Sequence, residues 1–194
     1  MDKMSDKKRL IVGMSGASGA PLTIELLKQL KKNPEVETHL IATRGAILTL
    51  EHETYVSFDE LKGMSDVYYD AENIGERPAS GSFCTVGMVV IPCSMKTVAG
   101  IASGYSDNLL LRAADVTLKE RRKLVLVARE TPLSTLHLRN LYEVSKFGAV
   151  VMPPVPAYYR HPETMDECSC NFVIRLLDQF NLNAEKDGYE WAGI

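Results

Sequence analysis

Short runs of branched apolar residues alternate with longer segments of helical periodicity along this chain, and that alternation leaves few folds open. Residues 9–14 (RLIVGM), 36–43, 88–92 (MVVIP), 124–128 (LVLVA) and 149–152 (AVVM) are apolar and too short for packed helices, so they read as buried strands. Between them, residues 21–32 place Leu22, Leu26, Leu27 and Leu30 on one helical face, and Asn33-Pro34 ends the segment. Further helices are expected at 45–52, 108–122, 134–147 and 164–180. Strand and helix in turn predict a three-layer α/β sandwich with a central parallel sheet. The least regular stretch, 54–83, is expected as a long connection. With 194 residues, 45% of them hydrophobic, the chain suits one domain spanning 1–194, with a flexible segment at 1–8 and a polar tail at 181–194 that holds Trp191.

Charge narrows the choice of partner. The 25 acidic and 22 basic residues leave a net charge of −3, which gives no basis for binding nucleic acid or a membrane surface. No apolar run is long enough to span a bilayer, and residues 1–9 lack the apolar core of a signal peptide, so a cytoplasmic location is expected. Cys84, Cys93, Cys168 and Cys170 form no CxxC pair and no metal-ligand spacing with the histidines; reduced thiols and no metal are expected.

In a parallel sheet, ligands sit beyond the carboxyl ends of the strands, where loops diverge and helix N-termini offer unpaired amides. The first strand end carries Gly13, Gly16 and Gly19 with Ser15 and Ser18 between them, a turn whose backbone can approach an anion closely. It departs from GxGxxG, and Thr43-Arg44 follows the second strand where a dinucleotide ribose would want a carboxylate, so a mononucleotide is favoured over NAD. Ser94, Met95, Lys96 and Thr97 follow the third strand at a helix start suited to phosphate. Arg129-Glu130 follows the fourth, and the stiff segment 153–159 after the fifth ends in Tyr158-Tyr159, with Arg175 beyond it. Arg112 and Lys119 are seven apart and share a helix face. These phosphate-seeking groups exceed what one mononucleotide phosphate needs, and a second phosphorylated ligand would account for the surplus.

The segments Gly16-Ala17-Ser18-Gly19, Cys93 to Thr97, Arg112 to Arg122, and Arg129 to Pro132 followed by His137 resemble the UbiX flavin prenyltransferases, including the Pad-type homologues that accompany phenolic acid decarboxylases. The resemblance runs from about residue 9 to 175. It implies a Rossmann-like (flavodoxin-like) fold and transfer of a dimethylallyl group from dimethylallyl phosphate to reduced FMN, without a metal. It further implies that the prenylated FMN goes to a UbiD-type decarboxylase, and that the enzyme assembles as a large homo-oligomer, a dodecamer in the family, with sites at subunit contacts.

Carried over by position, the resemblance implies an FMN site of Gly16, Ala17, Ser18, Thr43, Ser94, Met95, Lys96, Thr97 and Arg129, with Ser18 near the flavin N5. It implies donor contacts from Arg112, Lys119, Arg129, Tyr159, Arg175 and Glu53, with Glu130 as acid/base carboxylate. Val98, Ala99 and Trp191 are expected to help shield the prenyl group. The chemistry is consistent with such a set: a phosphate leaving group needs fixed cations, which arginine and lysine supply when no metal does.

Two other readings are open at this point. An FMN-dependent decarboxylase of the cysteine-decarboxylase type shares the fold and carries a related Pro-Ala-Ser segment, seen here as Pro78-Ala79-Ser80, but without the asparagine and threonine of those enzymes. A non-catalytic FMN carrier or decarboxylase accessory subunit would keep the flavin contacts and could dispense with Lys119, Glu130 and Arg175, all of which are present.

Overall fold

The computed structural model describes residues 7–182. Its strands are β1 (Lys8–Met14), β2 (Val36–Ala42), β3 (Val67–Asp70), β4 (Gly87–Cys93), β5 (Lys123–Ala128) and β6 (Val150–Val151). All neighbours pair in parallel, in the order β3-β2-β1-β4-β5-β6. The helices are α1 (Ala20–Lys31), α2 (Arg44–Glu53), α3 (Phe58–Gly63), α4 (Met95–Ser103), α5 (Leu109–Lys119), α6 (Thr135–Lys146) and α7 (Met165–Asp178).

Period-two alternation divides each central strand between two cores. Leu10, Val12, Leu40, Val89, Ile91, Val125 and Val127 face one side, where Leu26 and Leu30 of α1, Leu50 of α2, and Val173 and Leu176 of α7 cover them. Ile11, Ile41, Met88, Val90, Leu124 and Leu126 face the other, under Val98 and Ile101 of α4, Leu110 and Ala114 of α5, and Val144 of α6. Both faces are closed, which is why these strands read as continuous apolar runs. The three layers agree with the expected sandwich.

The connection expected at 54–83 holds a strand, a short helix and a 3-10 turn (Arg77–Ala79) that periodicity did not find. β3 has only four residues at the sheet edge, and α3 only six, too few for a repeating pattern. Their joining depends on polar contacts. The Thr38 amide and hydroxyl donate to one oxygen of Asp66 at 2.7 and 2.8 Å, while the Asp66 amide donates to the Thr38 hydroxyl at 3.0 Å. This exchange fixes β3 against β2. A sequence signal for α3 did exist, since Ser57 and Glu60 form a capping box.

Residues 1–6 of the segment expected to be flexible, and 183–194 of the expected tail, lie outside the described residues; Lys8 already belongs to β1.

Burial raises the Asp66 carboxyl, but the Thr38 amide and hydroxyl outweigh it and hold the group below its ordinary value. A depressed folded-state pKa contributes stability above the unfolded value and loses it as pH falls through the folded one. The urea midpoint should therefore drop as pH goes from about 5 toward about 2, with a shallower slope in Asp66→Asn. Equal slopes would show that the Thr38–Asp66 exchange has no part in acid sensitivity.

Candidate active site

The sheet order reverses between β1 and β4, so their connections leave in opposite directions and open a crevice at the carboxyl edge. Hydrogen bonds lace this edge together. The Thr43 amide donates to the Met14 carbonyl at 3.0 Å, and the Arg129 amide to the Cys93 carbonyl at 3.1 Å. Across the reversal, Ser15 donates its amide and its hydroxyl to the Pro92 carbonyl at 3.2 and 3.0 Å, and its oxygen accepts from the Ser94 amide at 2.8 Å. Ser15 is 1% exposed, so it serves as a rivet rather than a ligand contact. These bonds bring Gly16 to Ser18, Thr43, Ser94 to Thr97, and Arg129 to one rim.

Three helix N-termini meet there. Thr43 caps α2 through the Ala46 amide, and Ser94 caps α4 through the Thr97 amide. The first amides of both helices have no intrahelical acceptor, and the helix dipole makes these ends attractive to anions. The α1 N-terminus differs. Its cap residue, Gly19, has φ 126° and no side chain, and the Gly19 and Ala20 amides instead each donate to one Glu53 oxygen at 2.9 Å. Burial raises the Glu53 carboxyl, but the neighbouring Ser18 hydroxyl, the two amides and the nearby Arg129 charge outweigh it and leave the group below its ordinary value. The protein thus fills the α1 terminus with its own anion, and a ligand phosphate is left with α2 and α4. Between those helices and β1 the fit is close: a Cβ on Gly16 would stand 3.0 Å from the Gly45 backbone.

A cavity of about 500 Å³ opens beside this rim between α1 and α7. Ser18, Glu53 and Arg129 form its polar end, and Pro21, Leu22, Met165 and Phe172 its apolar walls. A second cavity, about 170 Å³, holds Tyr159 and Arg175 and shares Val155, Cys168 and Phe172 with the first. Combined, they have the size and the mixture of apolar wall and few polar groups that suit a small ligand. Open helix N-termini, rim hydroxyls and an arginine beside an apolar cleft are groups that fit FMN.

Several expected site residues lie elsewhere. α5 returns antiparallel to the strands, so Lys119, at its C-terminal end, stands at the opposite edge of the sheet, where it pairs with Glu120. Arg112 donates to the Ala79 carbonyl at 3.3 Å and pairs with Asp115 at 2.6 Å. Neither lines the cavities. Glu130 is exposed at the rim, outside both linings, and accepts from the Thr131 amide at 3.0 Å. The Met95 and Thr97 side chains are buried, which leaves their backbone as the part a ligand could reach. Val98, expected in the prenyl pocket, is wholly buried in the core under α4 because its helical position faces the sheet. Trp191 lies outside the described residues. Among the described residues no group of three or more His, Cys, Asp or Glu could hold a metal.

The Flavoprotein family model matches residues 1–172. A probable UbiX-like flavin prenyltransferase from a Streptomyces species is 51% identical over 186 residues, which cover 96% of this chain and 92% of the relative. The chain belongs to the UbiX-like flavin prenyltransferase family. Solved structures of family members match as closely. A dodecameric FMN-dependent UbiX-like decarboxylase from Escherichia coli superposes with a TM-score of 0.92 at 50% identity, covering 95% of this chain and 100% of that one. AnUbiX in complex with FMN and dimethylallyl pyrophosphate gives 0.93 at 45% identity, with coverage of 97% and 99%.

Sequence reasoning did not identify Leu22, Met165, Cys168 or Phe172 as cavity walls. Their helices show ordinary amphipathic patterns, and only the packing of α7 on α1 turns them toward a cleft.

In Gly16→Ala the added methyl would push on the Gly45 backbone, a strain of about 1–3 kcal/mol. The expected result is FMN affinity weakened roughly tenfold or more, with the far-ultraviolet circular dichroism spectrum unchanged. Parental affinity would show that this approach does not shape the flavin site.

Proposed function

We propose that this protein is a flavin prenyltransferase that moves a dimethylallyl group from dimethylallyl phosphate to reduced FMN, supplying prenylated FMN to a UbiD-type decarboxylase. The observation that carries this reading is a crevice with a polar end of Ser18, Glu53 and Arg129, joined through a shared wall to Tyr159 and Arg175, in a chain about half identical to flavin prenyltransferases along nearly its full length. The AnUbiX complex with FMN and dimethylallyl pyrophosphate supports the pairing of ligands.

Reduced FMN supplies the nucleophilic N5 and C6 that take the prenyl group. The open termini of α2 and α4, with Thr43 and Ser94, would hold the flavin phosphate, and Gly16, Ala17 and Ser18 would contact the flavin. Tyr159, Arg175 and Arg129 hold the donor phosphate; as the carbon–oxygen bond breaks, their fixed donors stabilise the charge gathering on the leaving group. Glu130, beside Arg129, moves the proton that the leaving phosphate or the flavin exchanges. The apolar walls exclude water from the allylic carbon.

Arg112 and Lys119 stand away from this cleft within one chain, and in this reading they enter the site of a neighbouring copy. The dodecameric relative supports assembly of that kind. A cytoplasmic location and a single domain across 1–194 complete the reading; no described helix is long and apolar enough to cross a membrane.

The test is anaerobic incubation of the protein with FMN, a reductant and dimethylallyl phosphate, followed by mass spectrometry of the released flavin. A flavin heavier by one dimethylallyl unit is expected, and unmodified FMN from a folded, flavin-bound protein would refute the transfer. Lys119→Ala and Arg175→Ala should each retain FMN while turnover falls by at least about a hundredfold.

A further inference from the structure

The strand order β3-β2-β1-β4-β5-β6 is that of dinucleotide-binding sheets, in which a pyrophosphate rests on the N-terminus of the helix after the first strand. In this chain every amide at that terminus is engaged. Gly19 and Ala20 donate to one Glu53 oxygen, each at 2.9 Å, Pro21 has no N–H to give, and the Leu22 amide donates to the Gly19 carbonyl at 3.0 Å. The usual Ser, Thr, Asp or Asn cap is missing, because Gly19 has φ 126°, a conformation that residues with side chains rarely adopt. The acceptor comes instead from the last residue of α2, 34 positions away from Gly19.

Glu53 lines the cavity of about 500 Å³ together with Arg129, so this internal anion stands at the cleft and not behind it. We propose that Glu53 is a specificity-determining residue: its carboxylate takes the place of a second phosphate at the start of α1, so that the cleft accepts a flavin mononucleotide and rejects flavin and nicotinamide dinucleotides. Two effects act together. A diphosphate finds no free amide at α1, and its charge meets a carboxylate of the same sign in a cleft with apolar walls, where water screens the repulsion less. The starts of α2 and α4, capped by Thr43 and Ser94, keep first-turn amides for a single phosphate. The inference rests on the flavin part of the reading above and not on prenyl transfer. The donor phosphate of that reading belongs with Tyr159 and Arg175 in the second cavity, whose lining does not include Glu53.

The dissociation constants of FMN and FAD are measured for the parent, Glu53→Ala and Glu53→Gln. The parent should prefer FMN. Glu53→Ala frees both amides and leaves Arg129 without its countercharge, and it should bind FAD at least about tenfold more tightly than the parent does. Glu53→Gln, which loses the charge but keeps an acceptor oxygen, should show a smaller gain of the same sign. Unchanged FAD affinity in a folded Glu53→Ala protein, or a preference narrowed only by weaker FMN binding, would overturn the proposal. Where Glu53→Ala does not fold, Glu53→Gln decides alone by the same criterion.

A second measurement follows the thermal midpoint of the FMN-saturated proteins against inorganic phosphate at constant ionic strength. With the flavin phosphate already seated, added phosphate should raise the midpoint of Glu53→Ala more than that of the parent. Equal responses would show that the start of α1 takes no anion even when emptied, and would contradict the assignment. A folded parent that binds neither flavin would refute the flavin reading and this inference together; a parent that binds FMN, with FAD affinity unmoved by Glu53→Ala, would refute only the inference.

Discussion

The Glu53 carboxylate on the Gly19 and Ala20 amides governs how this fold is used. A helix N-terminus after the first strand is the customary phosphate seat in sheets of this order. Here the side chain at the end of α2 reaches back and fills it. The consequences extend outward from that contact. The starts of α2 and α4 are left as the open helix termini of the rim, the β1–α1 turn is pinned with Ser18 lining the cleft, and Arg129 has a countercharge beside the cavity. The Ser15 bonds across the β1–β4 reversal keep the two sides of the rim in register while this happens.

A second constraint is the division of the cations. Arg129 and Arg175 belong to the carboxyl edge of the sheet, but α5 carries Arg112 to a turn against Ala79 and Lys119 to the far edge. Chain direction alone dictates this, because α5 must deliver the chain to the start of β5. On the proposed reading, a site that used all of these cations would be completed by another copy, which would tie catalysis to assembly.

Much of this was legible before the structure. The central strands could be read because both of their faces are buried, and helix ends could be read where a capping residue and a proline or glycine coincide, as at Asn33-Pro34. The rim residues Gly16 to Ser18, Thr43, Ser94 to Thr97 and Arg129 were found because each follows an apolar run directly. What escaped had no local signal. β3 depends on a tertiary exchange between Thr38 and Asp66, the Glu53 contact joins residues more than thirty apart, and Cys168 and Phe172 become cavity walls only through the packing of α7 on α1. Val98 was misplaced for a related reason: its position after a rim motif suggested the pocket, while the helical phase turns it into the core.

The central claim is that one active site draws residues from two chains, and subunit mixing tests it most directly. Lys119→Ala leaves every site without the neighbour's lysine, and Arg175→Ala leaves every site without its own arginine. When the two inactive variants are dissociated, mixed and reassembled, some clefts with an intact Arg175 will face a neighbour with an intact Lys119. The account predicts that prenylated flavin reappears in the mixture while each variant treated alone stays inactive. A mixture as inactive as its components, with mixed oligomers shown to form, would contradict it.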